Sequence, residues 1–316
     1  MAGLCVSASA FAESAGKMAR VCFITVDPPT TTKNRYTPFF DRLRALGYVD
    51  GRTLALDWLS ANGDAGAFPA LVNECLRRKS DVIVTGTTPA TQAAKTATAA
   101  VPIVMLALGD PVGTGLVASL ARPGGNVSGT TQLAPLMIAK GLELLNRAVP
   151  GLKRVLVITY PADPISQGQV KSLQQAARVL NIELLVQGVA GPEDFAEAFA
   201  AGEKANVQGL LVTVESILVV HRAELAALAR RHKLPSVSSQ DLFVQAGGLL
   251  SYDANRDVLA ARTADYVDKV LKGSRPADLP VEEPTVFTIA VNAGTAQALG
   301  ITLPSAIVAN ADELFE

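Results

Sequence analysis

The sequence predicts an α/β protein of two similar lobes, each a doubly wound parallel sheet, joined by several hinge crossovers. Three observations predict it. Apolar runs of strand length alternate with helical stretches along nearly the whole chain, a pattern that right-handed crossovers turn into a parallel sheet. That rhythm runs once, breaks near Gly129 and runs again. The chain of 316 residues also exceeds what one core usually sustains. Its composition, 49% hydrophobic with only 5% aromatic and rich in Ala, Val and Leu, suits strands buried on both faces.

In the first lobe "VCFITV" from Val21 reads as a strand, and "RYTPFFDRLRALGY" as the lead into a helix stopped by Gly47. The strand "TLALDWL" from Thr53, a helix through "FPALVNECLRRK", the strand "DVIVTG" from Asp81, a helix from Pro89 to about Ala99 and the strand "VPIVMLAL" from Val101 follow. In the second, a helix near Lys140 to Ala148 precedes "RVLVIT" from Arg154. A helix over "QVKSLQQAARVL", "IELLVQGV" from Ile182, a helix after Pro192, "QGLLVTV" from Gln208, a helix over "HRAELAALARRH" and a short strand near Ser236 complete it. The remainder, with strand "GGLLSYD", helix "RDVLAARTADYVDKVLKG", connector "PADLPVEEP" and strand "VFTIAVN", is too short for a third lobe. It must complete the first two, so the chain crosses between them more than once. The expected division is a leader over 1–17, one lobe of 18–127 with 252–284, and another of 128–251 with 285–316.

Charge and special residues narrow the function. Twenty-eight basic against twenty-nine acidic residues leave a formal charge of -1, with no electrostatic footprint for nucleic acid. Cys5, Cys22 and Cys75 are odd in number and irregularly spaced, which reads as neither a disulfide framework nor a zinc site. His221 and His232 each stand beside Arg or Lys in a helix, where surface positions rather than metal ligands are expected. The start, "MAGLCVSASAFAES", is small and apolar, and Ala10-Phe11-Ala12 before Glu13 fits an A-x-A cleavage signal without its basic n-region. Cys5 follows Leu4, which argues against lipid anchoring, and no later apolar run reaches the ~20 residues that cross a bilayer. The processed protein is expected to be soluble.

Gly113, Gly115 and Ala118 in "GDPVGTGLVASL" match the G-x-G-x-x-A dinucleotide spacing. The fingerprint also wants an acidic residue about 20 positions on, and none stands between Asp110 and Glu143. A G-x-S-x-G elbow, a P-loop, an EF-hand loop and H-E-x-x-H are all missing from the sequence. What recurs is a polar or acidic loop at the carboxyl end of each strand, where open α/β sheets bind ligands. Within Thr85 to Gln92, Thr88 reads as a helix N-cap with Pro89 at the first helical position, which aims free N–H groups into the loop. That is either an anion site or a plain capped helix.

Long stretches of the chain resemble the substrate-binding proteins of bacterial ABC transporters, in the group that includes receptors for tryptophan and other aromatic amino acids. The resemblance is carried by "LRALGYVDGRTLALDW", "DVIVTGTTPATQAAK", "VPIVMLALGDPVGTGLVASLARPGGNVSGT", "LLNRAVPGLKRV", "HRAELAALARRHKLP", "AGGLLSYD", "DYVDKVLKGSRPADLPVEEPTVFTIAVNAGTAQALGI" and "ANADELFE". It implies a type I periplasmic-binding-protein fold that closes on a small ligand and hands it to the inner-membrane permease subunits of the transporter, working as a monomer in the periplasm, with no cofactor and no enzymatic role.

Carried over by residue, Thr87 and Thr88 meet a ligand carboxylate and Asp110 completes the lobe-one wall. Tyr160 and Asp163 meet the ligand from lobe two, although "YPADP" stands where relatives carry Asn-Pro. "ESILVV" and "SSQDLF" also depart from the family pattern, leaving Glu215 and Asp241 for a ligand ammonium. Tyr36, Tyr160 or Phe243 would lie near its side chain, and Tyr252 near the hinge. The expected ligand is therefore a zwitterion. A nucleotide-using α/β enzyme and the sensing domain of a regulator are the alternatives.

Overall fold

The structure, a computed structural model, describes residues 18–27 and 34–316. The Ala10-Phe11-Ala12 signal and Cys5 lie outside the described residues. The first lobe runs β1 (Ala19–Thr25), α1 (Thr37–Ala45), β2 (Leu54–Ser60), α2 (Phe68–Arg77), β3 (Val82–Thr85), α3 (Thr88–Ala97), β4 (Ile103–Leu108) and β5 (Val127–Thr131). Its sheet has the order β2-β1-β3-β4-β5, all parallel. The second lobe begins with α4 (Ala134–Ala148), β6 (Arg154–Thr159), α5 (Ser166–Leu180), β7 (Glu183–Gly188), α6 (Phe195–Lys204) and β8 (Gly209–Val212). It continues with α7 (Ser216–Val220), α8 (Arg222–Arg231), β9 (Ser236–Ser238), α9 (Asp241–Gln245) and β10 (Leu250–Ala254). Then α10 (Arg256–Leu271) returns to the first lobe, and β11 (Phe287–Asn292), α11 (Ala293–Ala298), α12 (Ser305–Ala309) and β12 (Glu313–Phe315) finish the second. The second sheet has the order β12-β11-β10-β9-β8-β6-β7, with only the β10–β11 pairing antiparallel.

Local chemistry explains the helix starts. Helices α1 to α4 each carry Pro in their first two positions, where its fixed φ and missing N–H fit. Strands β1, β3 and β6 place runs of Val, Ile, Leu or Phe between helix layers, so Val21 to Ile24 and Val155 to Ile158 are fully buried. Apolar residues of α10, among them Leu259, Ala264 and Val267, pack into the first lobe's core with Phe23 and Val104.

Three segments cross between the lobes: Gln132–Leu133 with Leu133 in the left-handed region, Asn255 between β10 and α10, and the stretch before β11. The division expected after residue 127 would cut β5 from the first lobe, yet β5 pairs with β4 throughout. Its sequence, VSGTT, hides a strand because hydroxyls replace methyls inside. Ser128 Oγ donates to the Leu279 carbonyl at 2.6 Å, and Thr130 Oγ1 pairs with Thr263 Oγ1 at 2.9 Å while accepting from the Ala107 N–H at 2.8 Å. Gly129, at φ +133, lies where a Cβ would come within 2.3 Å of the Met105 carbonyl oxygen, so only glycine fits. Likewise β10 belongs to the second sheet as far as Ala254, three residues beyond the expected boundary.

The stretch after Gly115 forms turns. One further expectation is corrected. Cys22 on β1 and Cys75 on α2, which their spacing did not pair, form a disulfide inside the first lobe. Strand and helix bring them together across 53 positions of sequence, a proximity that only the crossover topology creates.

Candidate functional site

The carboxyl ends of both sheets face each other across a cleft, and between them lies a small cavity of about 60 Å³. Lobe one supplies Asp27 at the end of β1, Arg35 and Tyr36 just before α1, and Thr87 and Thr88 at the start of α3. Lobe two supplies Asp163, Val214 and Ser216, and the crossovers supply Gln132 and Arg256.

At α3 the N-cap is Thr87, whose hydroxyl accepts from the Ala90 N–H at 3.3 Å; Thr88 is the first helical residue, so the helix begins one position earlier than expected. Thr88 is buried and turned to the cavity. Thr91 anchors the helix from below, its hydroxyl within 2.7 Å of Thr85 Oγ1 and donating to the Thr87 carbonyl at 2.8 Å.

Charge is distributed unevenly around the cavity. Arg256 is tied down, its Nε donating to Asp253 at 3.1 Å and its Nη2 to Gln132 Oε1. Asp253 is fully buried, which pushes its pKa up to about 6 against the pull of Arg256. Arg35, half-buried, has no hydrogen bond or ion pair among the described residues. Burial first, and then the nearby Arg256, lower its pKa, opposed in part by Asp241 and Asp27. Its guanidinium thus keeps five donors for whatever enters. Across the cleft Asp163 is buried and accepts from the Ile165 N–H at 3.2 Å and the Ser216 N–H at 3.4 Å. Burial raises its pKa over the lowering effect of those N–H groups.

Among the sequence-derived candidates, Tyr36, Thr87, Thr88 and Asp163 line the small cavity, and Tyr160 lines a wider trough just outside it. The other five lie elsewhere. Asp110 accepts from the Gly113 N–H at 2.8 Å and its carbonyl takes the Thr114 hydroxyl, so it closes its own turn. The glycines of that loop serve this turn. Val214 takes the cavity-facing position after β8, so the alternation of an extended chain turns Glu215 inward. There Glu215 Oε1 accepts from Thr159 Oγ1 at 2.9 Å and Gln169 Nε2 at 3.2 Å, and Oε2 from Thr213 Oγ1. Burial pushes its pKa up to about 7. Phe243 packs fully buried in the core of lobe two with Leu210 and Ala226. Asp241 borders a separate small pocket with Asp257 and Glu313, and Tyr252 stacks on Phe287 at 6.0 Å between ring centres.

Arg35, Asp27, Gln132, Arg256 and Ser216 were not singled out from sequence. Asp27 and Arg35 flank the loop "DPPTTTKNRY" after the first strand, so its position was the available signal. Nothing local marks Gln132 or Arg256, which only the crossovers bring to the cleft. His221 and His232 pair with Glu224 at 3.3 Å and Glu203 at 2.6 Å, and no metal-binding group occurs among the described residues.

A cleft between two parallel-sheet lobes, walled by strand ends and crossed by three hinges, defines a two-lobed ligand receptor. Residues 23–315 match the ABC transporter substrate binding protein family, and the chain belongs to it. A tyrosine-binding protein of Clostridioides difficile is 31% identical over 268 residues, covering 85% of this chain and 77% of that protein. The structure of an ABC domain from Streptococcus pneumonia in complex with L-Trp is 25% identical. It superposes with a TM-score of 0.88, covering 95% of this chain and 100% of the other. A ligand-free, open substrate binding protein with adhesive properties from Clostridium difficile is 26% identical. Its TM-score is 0.70, covering 94% of this chain and 99% of the other. At nearly equal identity, the whole chain superposes more closely on the L-Trp complex than on the open structure. The family is a transport component. Among the described residues no helix is long and apolar enough to cross a membrane.

Proposed function

We propose that the protein is an exported, monomeric receptor, not an enzyme, that captures an aromatic or similarly bulky amino acid in the cleft and delivers it to an ABC permease. One observation carries this reading: the guanidinium of Arg35, with no partner among the described residues, lies on one wall of a small cavity whose other wall carries the buried carboxylate of Asp163. A zwitterion satisfies both. Its carboxylate takes Arg35 with the Thr87–Thr88 end of α3, where the N–H groups and dipole favour an anion. Its ammonium takes Asp163, with Asp27 nearby on the other lobe. The relatives that bind tyrosine or hold L-Trp support the aromatic side chain. The Cys22–Cys75 disulfide supports export, since such bonds persist in oxidising compartments.

Thermal-shift and calorimetric titration with L-tyrosine and L-tryptophan test it. At 100 times its dissociation constant a ligand adds about 2.7 kcal/mol to stability. Arg35→Gln is expected to weaken binding by about 1.5–3 kcal/mol, the value of a hydrogen bond to a charged group, with the unliganded melting temperature unchanged. Shifts with sugars or nucleotides but with no amino acid would sink the reading.

A further inference from the structure

The small cavity is not the whole cleft. Beyond it lies a trough of about 780 Å³, with Pro89, Gln92 and Ala93 of α3 on one wall and Tyr160, Pro164 and Ile217 of lobe two on the other. The two spaces meet at Asp163 and Ser216, which line both, and the consecutive residues Thr88 and Pro89 line one each. The sizes differ in kind. A trough of this volume takes a drug-sized molecule, whereas about 60 Å³ holds a handful of waters, the room needed by an α-amino-acid head.

We propose that the trough is a second subsite. It holds the ring of tyrosine or tryptophan at its inner end, beside Asp163 and Ser216, and, out to Gln92, the aryl or arylalkyl tail of a longer α-amino acid, both leaving the small cavity past Asp163. This rests on the zwitterion reading given under the proposed function. The walls define the tail. Two proline rings, Ala93, Ile217 and the Tyr160 ring offer apolar and aromatic faces, with the Gln92 amide at the exposed rim. None of the lining residues is basic, while Asp64 and Asp163 are acidic, so the tail is neutral or cationic and an anionic one is rejected.

Calorimetric titration of the full chain and of Gln92→Trp with L-tyrosine and O-benzyl-L-tyrosine tests the subsite. Gln92 is exposed on α3, so tryptophan there fills the trough without entering the core; thermal melting checks that the fold is kept. The chain is expected to bind O-benzyl-L-tyrosine at least as tightly as L-tyrosine. Gln92→Trp should weaken the benzyl compound about tenfold or more while L-tyrosine changes less than about threefold. A benzyl compound bound about tenfold more weakly than L-tyrosine, or unaffected by Gln92→Trp, overturns the subsite and leaves the zwitterion reading standing. If no amino acid binds, both fall.

Discussion

Glu215 ties together the ends of β6 and β8 and the start of α5, through Thr159, Thr213 and Gln169, without touching the cavity. Burial lifts its pKa from 4.5 to about 7. An acid whose folded-state pKa is raised favours folding while protonated. Its contribution is complete below about pH 4.5, shrinks as pH rises and is gone above about pH 7. The full swing is on the order of 3 kcal/mol, and Asp253, pushed up to about 6, adds in the same direction. The protein should therefore melt at higher temperature at pH 5 than at pH 7.5, and Glu215→Gln should flatten the slope. Calorimetry at constant ionic strength reads it, and an equal slope in the variant would refute Glu215 as its source. Residues of this kind mark the limit of sequence reading. Thr87, Thr88 and Asp163 were legible because loop position and helix start fix where they point. Glu215 and Phe243 were not, because a turn of one residue decides between cleft and core.

Among the elements, strands with plain apolar runs were readable and β5 was not, since its interior is satisfied by hydroxyl hydrogen bonds rather than by branched side chains. The disulfide escaped for a different reason: spacing carries no trace of a strand and a helix brought into register by a crossover. Its closed loop spans 53 positions of sequence, for which chain entropy predicts a stabilisation of about 4 kcal/mol. Replacing both Cys22 and Cys75 with Ala should lower the urea midpoint accordingly. Reductant should reproduce the loss only after unfolding, since both sulfurs are buried. Equal midpoints for the variant and the oxidised protein would mean that the bond adds nothing.

For the whole molecule, two lobes on three thin crossovers form a hinge, with Leu133 in a left-handed conformation at one of them. Small-angle scattering is expected to show the radius of gyration of the ligand-free protein falling when ligand saturates the cleft. An unchanged profile at full occupancy would remove the hinge while leaving binding intact. The two-lobe architecture was legible because its signal is the repeated rhythm of whole elements. The crossover positions were off by a few residues because nothing in a strand's own sequence says which sheet it joins.

The same crossovers govern how the chain can acquire its shape. The first lobe is not continuous in sequence: Leu259, Ala264 and Val267 of α10 fill its core, and the backbone of Val281 and Glu282 hydrogen-bonds to Leu120 and Gly129. A nascent chain that has delivered β1 through β5 therefore still lacks part of one layer over its sheet, the α10 that packs beside α1, and it gains that helix only after the whole of β6 to β10 has been made. Nor can the second lobe finish early, since β11 and β12 come last. Neither half is an independent folding unit, and both must mature together near the end of synthesis. Under the export proposed above, this delay would keep the chain loose and threadable until nearly all of it has left the ribosome.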